Sequence, residues 1–236
     1  MAKPRSKPRQ LSLDDARKPS GIGGWRPHAG RKKGRKTVPH DKRPTFAAWV
    51  VHHVTWRLVA GLSSLRRDSR MTVIRAAIKL SHSDTFRVVE FSVQSNHLHL
   101  VVEATNTVAR SRGLQGLAVR LARGLNAKLG RAGKLLATRF HARILKTPRE
   151  VRNVLRYVLL NARHHAAERG AKLDRGWFDP YSSAAWFDGW TQALRADGDW
   201  KRDLLGLPRP TATATNWLLT TGWRRRGLLR IDEVPG

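Results

Sequence analysis

Apolar and polar residues alternate through His53-Val54-Thr55-Trp56-Arg57-Leu58-Val59, which predicts a first β-strand, because strand side chains point to opposite faces in turn. Gly61 closes it. Leu65, Met71, Ile74 and Ile78 then recur near helical spacing with arginines between them, predicting a helix over about residues 65–81 with Ser63 or Ser64 as cap. Arg87-Val88-Val89-Glu90-Phe91-Ser92-Val93 is a second strand. The turn chemistry of Gln94-Ser95-Asn96 returns the chain into a third, His97-Leu98-His99-Leu100-Val101-Val102-Glu103. Leu114, Leu117, Leu121 and Leu125 mark a second helix over about residues 108–129, ended by Gly130 and Gly133. Leu136 to Leu145 predicts a fourth strand. The order β-α-β-β-α-β is an α+β, ferredoxin-like pattern: an antiparallel four-stranded sheet with both helices on one face.

The same alternation sorts the polar residues. His97 and His99 share one side of their strand, Thr55 and Arg57 one side of theirs, and Arg139, His141 and Arg143 one side of the last. These sides form the face away from the helices, a basic open sheet surface suited to nucleic acid. Two imidazoles on one side of a rigid strand are also half a metal site, although short motifs of this kind arise incidentally on solvated faces.

A third helix starts at Thr147-Pro148-Arg149-Glu150, where Thr as cap, Pro in the first turn and Glu three residues after the cap make a capping box. Val151, Val154, Leu155, Val158 and Ala162 form its apolar stripe. Tyr157 lies off that stripe, near Asn153 and Asn161 one turn to either side and His164 two turns on. After Gly170 come Trp177, Trp186, Trp190 and Trp200, then Trp217-Leu218-Leu219 and Gly222-Trp223-Arg224-Arg225-Arg226. Most of these tryptophans are expected in a core, with the Trp223-Arg run, including Arg224 and Arg225, as a DNA contact.

Charge changes the picture most. The 236 residues carry 46 Lys+Arg against 17 Asp+Glu, a formal net charge of +29, so the expected partner is a polyanion, above all nucleic acid. Residues 1–44 form a Pro- and Gly-punctuated basic arm holding Arg31, Lys32 and Arg35, with too few apolar residues to offset ordering. Three segments are expected: the arm, a folded domain over 45–170, and a Trp- and Arg-rich extension over 171–236. The absence of cysteine excludes disulfides and thiolate metal sites. No apolar run resembles a membrane span or a secretory signal, so a cytoplasmic, nucleoid-associated protein is expected.

Three stretches then resemble a known family. Ser95-Asn96-His97-Leu98-His99-Leu100, the helix around Gln115-Gly116-Leu117 with the following Arg139-Phe140-His141, and Arg156-Tyr157-Val158-Leu159-Leu160-Asn161 occur in the order seen in single-tyrosine HUH transposases, specifically the REP-associated tyrosine transposase branch. The resemblance covers about residues 50–170. It implies the HUH endonuclease fold, a Mg²⁺ or Mn²⁺ ion held by His97, His99 and Asn161, and Tyr157 as nucleophile. It further implies single-stranded DNA at hairpin-forming palindromic repeats as substrate, cleaved and rejoined through a 5′-phosphotyrosine by a monomer or homodimer. The chemistry is consistent with these residues: a phenol of pKa about 10 is a weak nucleophile, and a phosphodiester needs its charge stabilised. The branch's Asn-Pro reads Asn161-Ala162 here, so the helix is expected to continue towards His164 and His165. The rival readings are a non-catalytic DNA-binding protein of the same fold, an RNA-binding module, and a metal-dependent nuclease using water. The third is separated from a tyrosine enzyme by the absence of a covalent adduct.

Overall fold

The computed structural model of the protein describes residues 45–235. The basic arm, with Arg31, Lys32 and Arg35, lies outside them. The described elements are β1 (Val50–Arg57), α1 (Asp68–Lys79), β2 (Phe86–Val93), β3 (His97–Ala104), α2 (Thr107–Lys128), β4 (His141–Leu145), α3 (Pro148–Leu159), α4 (Asn161–Glu168) and α5 (Asp199–Gly206). The sheet runs β2-β3-β1-β4 with every pairing antiparallel. This is the ferredoxin-like arrangement. None of the described helices is long and apolar enough to cross a membrane.

Each strand buries one side beneath α1 and α2. Val54 and Trp56 of β1, Phe91 and Val93 of β2, and Leu98, Leu100 and Val102 of β3 meet Met71, Ile74 and Ile78 of α1 and the Leu114, Leu117, Leu121, Leu125 stripe of α2. The helices approach so closely that Gly113 has no room for a side chain: a Cβ there would sit 2.2 Å from Cγ of Phe86. A register shift between Val88 and Glu90 keeps Glu90, opposite Val101, on the same second face as Val89, while Val88 and Phe91 stay in the first core, so β2 buries both its sides.

The second face of the sheet is only half open. Val51, Val89, Val101 and Leu145, one from each strand, form an apolar end that is covered by Val151, Val154, Leu155 and Val158 of α3. Residues after α4 complete this second core with Phe178, Phe187, Leu204, Leu219, Trp223, Leu229 and Ile231. They also close the edge of β2: Val93 N–H donates to Tyr181 O at 2.8 Å, and Ser183 N–H to Phe91 O at 3.0 Å. Arg66 and the buried Asp179 add a two-pronged ion pair, 2.9 Å on each prong.

Several elements differ from the sequence expectation for identifiable reasons. β1 begins at Val50 and ends at Arg57, because its ladder with β3 runs from Val50 opposite Ala104 to Arg57 opposite His97. α1 starts at Asp68 rather than near residue 65: Leu65 is buried and its N–H bonds Ser95 O at 2.9 Å, which fastens this segment to the turn before β3. β4 begins only at His141. Ala137 N–H bonds Arg57 O while His141 pairs with Thr55, so two extra residues bulge out and carry Arg139 to an exposed loop. The capping box of α3 forms as expected, Thr147 Oγ1 accepting from Glu150 N–H at 3.2 Å. The helix does not run unbroken to His164 and His165, however. Leu160 leaves helical geometry at φ −111°, ψ 15°, and α4 restarts with Asn161, Arg163 and Ala166 inward in place of Ala162.

Candidate functional site

The polar half of the second face begins where the apolar end stops. Along β1 the residues on this face run Val51, His53, Thr55, Arg57; along β3 they run Val101, His99, His97; along β4 they run Leu145, Arg143, His141. Cross-strand register sets Thr55 between His99 and His141, Arg57 opposite His97, and His53 between Val101 and Arg143. α3 crosses at the boundary, with Val154 and Val158 on the apolar side and half-buried Tyr157 on the polar side.

His99 is the hub. Its Nε2 lies 3.0 Å from Nε2 of His97 and 3.5 Å from the Tyr157 hydroxyl oxygen. Its Nδ1 lies 3.2 Å from Nε2 of His53 and 3.3 Å from Oγ1 of Thr55. The His99 and Tyr157 rings meet edge to face with centroids 5.1 Å apart. Nδ1 of His97 is engaged by Asn96 Oδ1 at 2.8 Å, which leaves its Nε2 aimed at the same point as that of His99.

Burial disfavours a charge on any of these rings. It lowers the His99 pKa to about 3, with the neighbouring His53, His97 and His165 adding to the effect. His53 is lowered to about 4 by burial, then by Arg143 and His141. His97 is lowered by burial, then by Arg57 and His165. At neutral pH the three imidazoles are therefore uncharged, the form in which a ring nitrogen offers a lone pair.

The structure thus brings His97, His99 and Tyr157 together. It holds Arg57, His141 and Arg143 on the same face, all three exposed, with Arg143 also 3.5 Å from Glu150. Asn161 opens α4 one turn past Tyr157 and is 1% exposed, yet neither atom of its amide has a hydrogen-bond partner. A buried amide left in that state is expected to face a ligand, since unpaired buried polar groups are costly. Two imidazole nitrogens and an amide oxygen form a donor set that fits a divalent cation such as Mn²⁺ or Mg²⁺.

Other expected contacts are placed elsewhere. Trp223 is no DNA platform: it is 1% exposed, its indole N–H bonds Leu219 O at 2.9 Å, and its ring stacks on Phe187. Arg224 pairs with Asp188 at 2.9 Å, and Arg225 lies over the exposed Trp217 ring. Arg139 sits on the loop before β4. His53 and His165 are the site residues that motif reading passed over. His53 was legible only as the start of an alternating strand; His165, on α4, is near enough to His97 and His99 to help lower their pKa values. On α4 itself, His164, His165 and Glu168 bring their ligand atoms within 4.8 Å of one another, with His165 Nδ1 2.7 Å from Glu168 Oε2.

No family model matches the sequence, and no curated protein sequence does. Among solved structures, the chain is similar to a REP-associated tyrosine transposase solved bound to a REP hairpin. The likeness is one of fold. The two share 15% identity with a TM-score of 0.50, over 76% of this chain and 100% of the other. The match thus extends over the whole length of that transposase and leaves about a quarter of this chain outside it.

Proposed function

We propose that this protein is a metal-dependent single-stranded DNA transesterase, a transposase-type enzyme that cleaves and rejoins DNA through Tyr157. The observation that carries the reading is the convergence of the Tyr157 hydroxyl and Nε2 of His97 on Nε2 of His99, at 3.5 Å and 3.0 Å. That convergence brings a nucleophile from α3 to a pair of neutral imidazoles on β3. The similarity of fold to a transposase solved with a DNA hairpin supports the same choice of substrate.

His97, His99 and Asn161 are the residues that would hold the Mg²⁺ or Mn²⁺ ion. Such an ion supplies Lewis-acid polarisation of a phosphate oxygen when bound. The remaining work falls to the chain. Arg57, His141 and Arg143 bind the strand's phosphates on the exposed half of the face. α3, packed on the apolar half, holds the Tyr157 oxygen at the boundary for in-line attack on phosphorus. The P–O3′ bond breaks as the Tyr–O–P bond forms, and the phenol proton is balanced by the proton gained on the leaving oxygen. The products are a 5′-phosphotyrosine and a free 3′-hydroxyl; the reverse attack by another 3′-hydroxyl joins strands. The phosphodiester energy is conserved in the tyrosyl link, so rejoining needs no nucleotide cofactor.

The test is a denaturing gel with end-labelled single-stranded DNA hairpins and Mn²⁺ or Mg²⁺, comparing wild type with Tyr157→Phe and His97→Ala. A slow-migrating, protease-sensitive adduct made only by wild type is the expected result. Cleavage that survives Tyr157→Phe would identify a nuclease using water. Hairpin binding with no cleavage in either metal would identify a non-catalytic DNA-binding protein.

A further inference from the structure

We infer that His53 is a positioning residue for the site, holding the proton of His99 on Nδ1 so that Nε2 of His99 is free to bind a divalent cation. The inference rests on the metal-site reading above and assigns a role to a residue outside the expected ligand set.

The argument starts from what a neutral imidazole can do. It has one N–H and one lone pair, so it presents Nε2 as a ligand only when the proton sits on Nδ1. A buried N–H needs an acceptor, and His99 is 4% exposed. Two acceptors lie within reach of Nδ1: His53 Nε2 at 3.2 Å and Thr55 Oγ1 at 3.3 Å. Both come from β1, where the ladder places Thr55 directly opposite His99.

His53 does more than accept a hydrogen bond. Its ring stacks on that of His99, centroids 5.3 Å apart and planes 28° from parallel, and meets Tyr157 edge-on at 6.0 Å. One side chain therefore contacts both the candidate ligand and the candidate nucleophile, and it limits how either ring can turn. Thr55 offers an oxygen of either polarity and makes neither ring contact. Ligand histidines in metal sites commonly donate their second N–H to a fixed acceptor in this way, and removing the acceptor costs about 10–100-fold in metal affinity.

Two substitutions separate the hydrogen bond from the packing. His53→Phe keeps the ring's bulk and removes the acceptor, whereas His53→Gln returns an acceptor oxygen near the position of Nε2. Mn²⁺ binding to the full chain, without DNA, is measured by calorimetry for wild type, both variants and His97→Ala. The His99 tautomer is read in metal-free wild type by long-range ¹⁵N–¹H NMR. The expected results are a proton on Nδ1 of His99, about 10–100-fold weaker Mn²⁺ binding in His53→Phe, and recovery of most of that loss in His53→Gln. Mn²⁺ binding by His53→Phe within twofold of wild type overturns the inference while leaving the metal site intact. So does a wild-type His99 protonated on Nε2, a result that needs no variant to fold. Mn²⁺ binding that is absent from wild type, or unchanged in His97→Ala, removes the metal-site reading and this inference with it.

Discussion

Glu90 provides the sharpest test of how the second face is built. It lies on β2 beneath the residues that follow α4, 3% exposed, with Ser183 Oγ 2.5 Å from Oε2 and Arg209 at 3.7 Å. Burial raises its pKa from 4.5 to about 8, against the opposing pull of Ser183 and Arg209. The sign follows directly. An acid whose folded pKa lies above its unfolded value binds more protons when folded, so its contribution to stability is complete below pH 4.5 and is lost as pH rises towards 8. Each pH unit in that window costs about 1.4 kcal/mol, so between pH 5 and 7.5 the loss is about 3 kcal/mol. Glu90→Gln has the shape and hydrogen-bonding pattern of the protonated acid and does not titrate. Urea denaturation of both proteins at pH 5 and pH 7.5 should therefore show the variant gaining about 3 kcal/mol on wild type across the interval. Parallel pH profiles would mean that Glu90 is ionised and solvated, and that the C-terminal residues do not seal this face.

Three further perturbations probe the rest of the molecule. His53 and His99 have folded pKa values of about 4 and 3, well below 6.5, so their contribution is present above pH 6.5 and is lost on acidification. Metal-free protein should lose roughly 1–3 kcal/mol per pH unit between pH 6 and 4.5, with the two rings titrating as a coupled pair; a flat profile would place both rings in water. Asp179→Ala breaks the ion pair that binds Arg66 to the C-terminal segment and should cost about 3 kcal/mol in denaturant melts. An effect under about 0.5 kcal/mol would show that this pair is solvent-screened. Gly113→Ala drives a methyl into the Phe86 ring and should destabilise by about 1–3 kcal/mol, even though alanine is the better helix former; a stabilised variant would contradict the close packing of α2 on the sheet.

Much of this architecture was legible in the chain because its signals are local. The Leu114, Leu117, Leu121, Leu125 stripe and the Thr147-to-Glu150 capping box each depend on residues within a few turns of one another. The structure reproduces both. Strand alternation likewise placed His97 and His99 on one side of β3 and Tyr157 off the apolar stripe of α3. Those two facts singled out the imidazole pair and the off-stripe tyrosine in the sequence, though without bringing them into contact; the nucleophile role proposed for Tyr157 came from the family resemblance.

What alternation cannot say is what covers a face. The side of the sheet away from α1 and α2 reads as open, yet Val51, Val89, Val101 and Leu145 carry α3 and the C-terminal residues across half of it. That choice depends mostly on apolar partners from about fifty to well over a hundred residues apart, and no local pattern encodes such pairings. The same long-range packing buries Trp223, removes it from any DNA surface, and raises the pKa of Glu90. Register decided the rest. Two surplus residues before β4 throw Arg139 off the sheet, and the break at Leu160 restarts the helix with Asn161, Arg163 and Ala166 buried. His53 emerges as the partner of His99 because β1 and β3 pair in one particular register. The sequence by itself determined which side of its own strand or helix each candidate side chain occupies, since spacing along the element sets that side. The tertiary structure alone decided which of them touch, because contact across strands and helices is set by register and burial between distant segments.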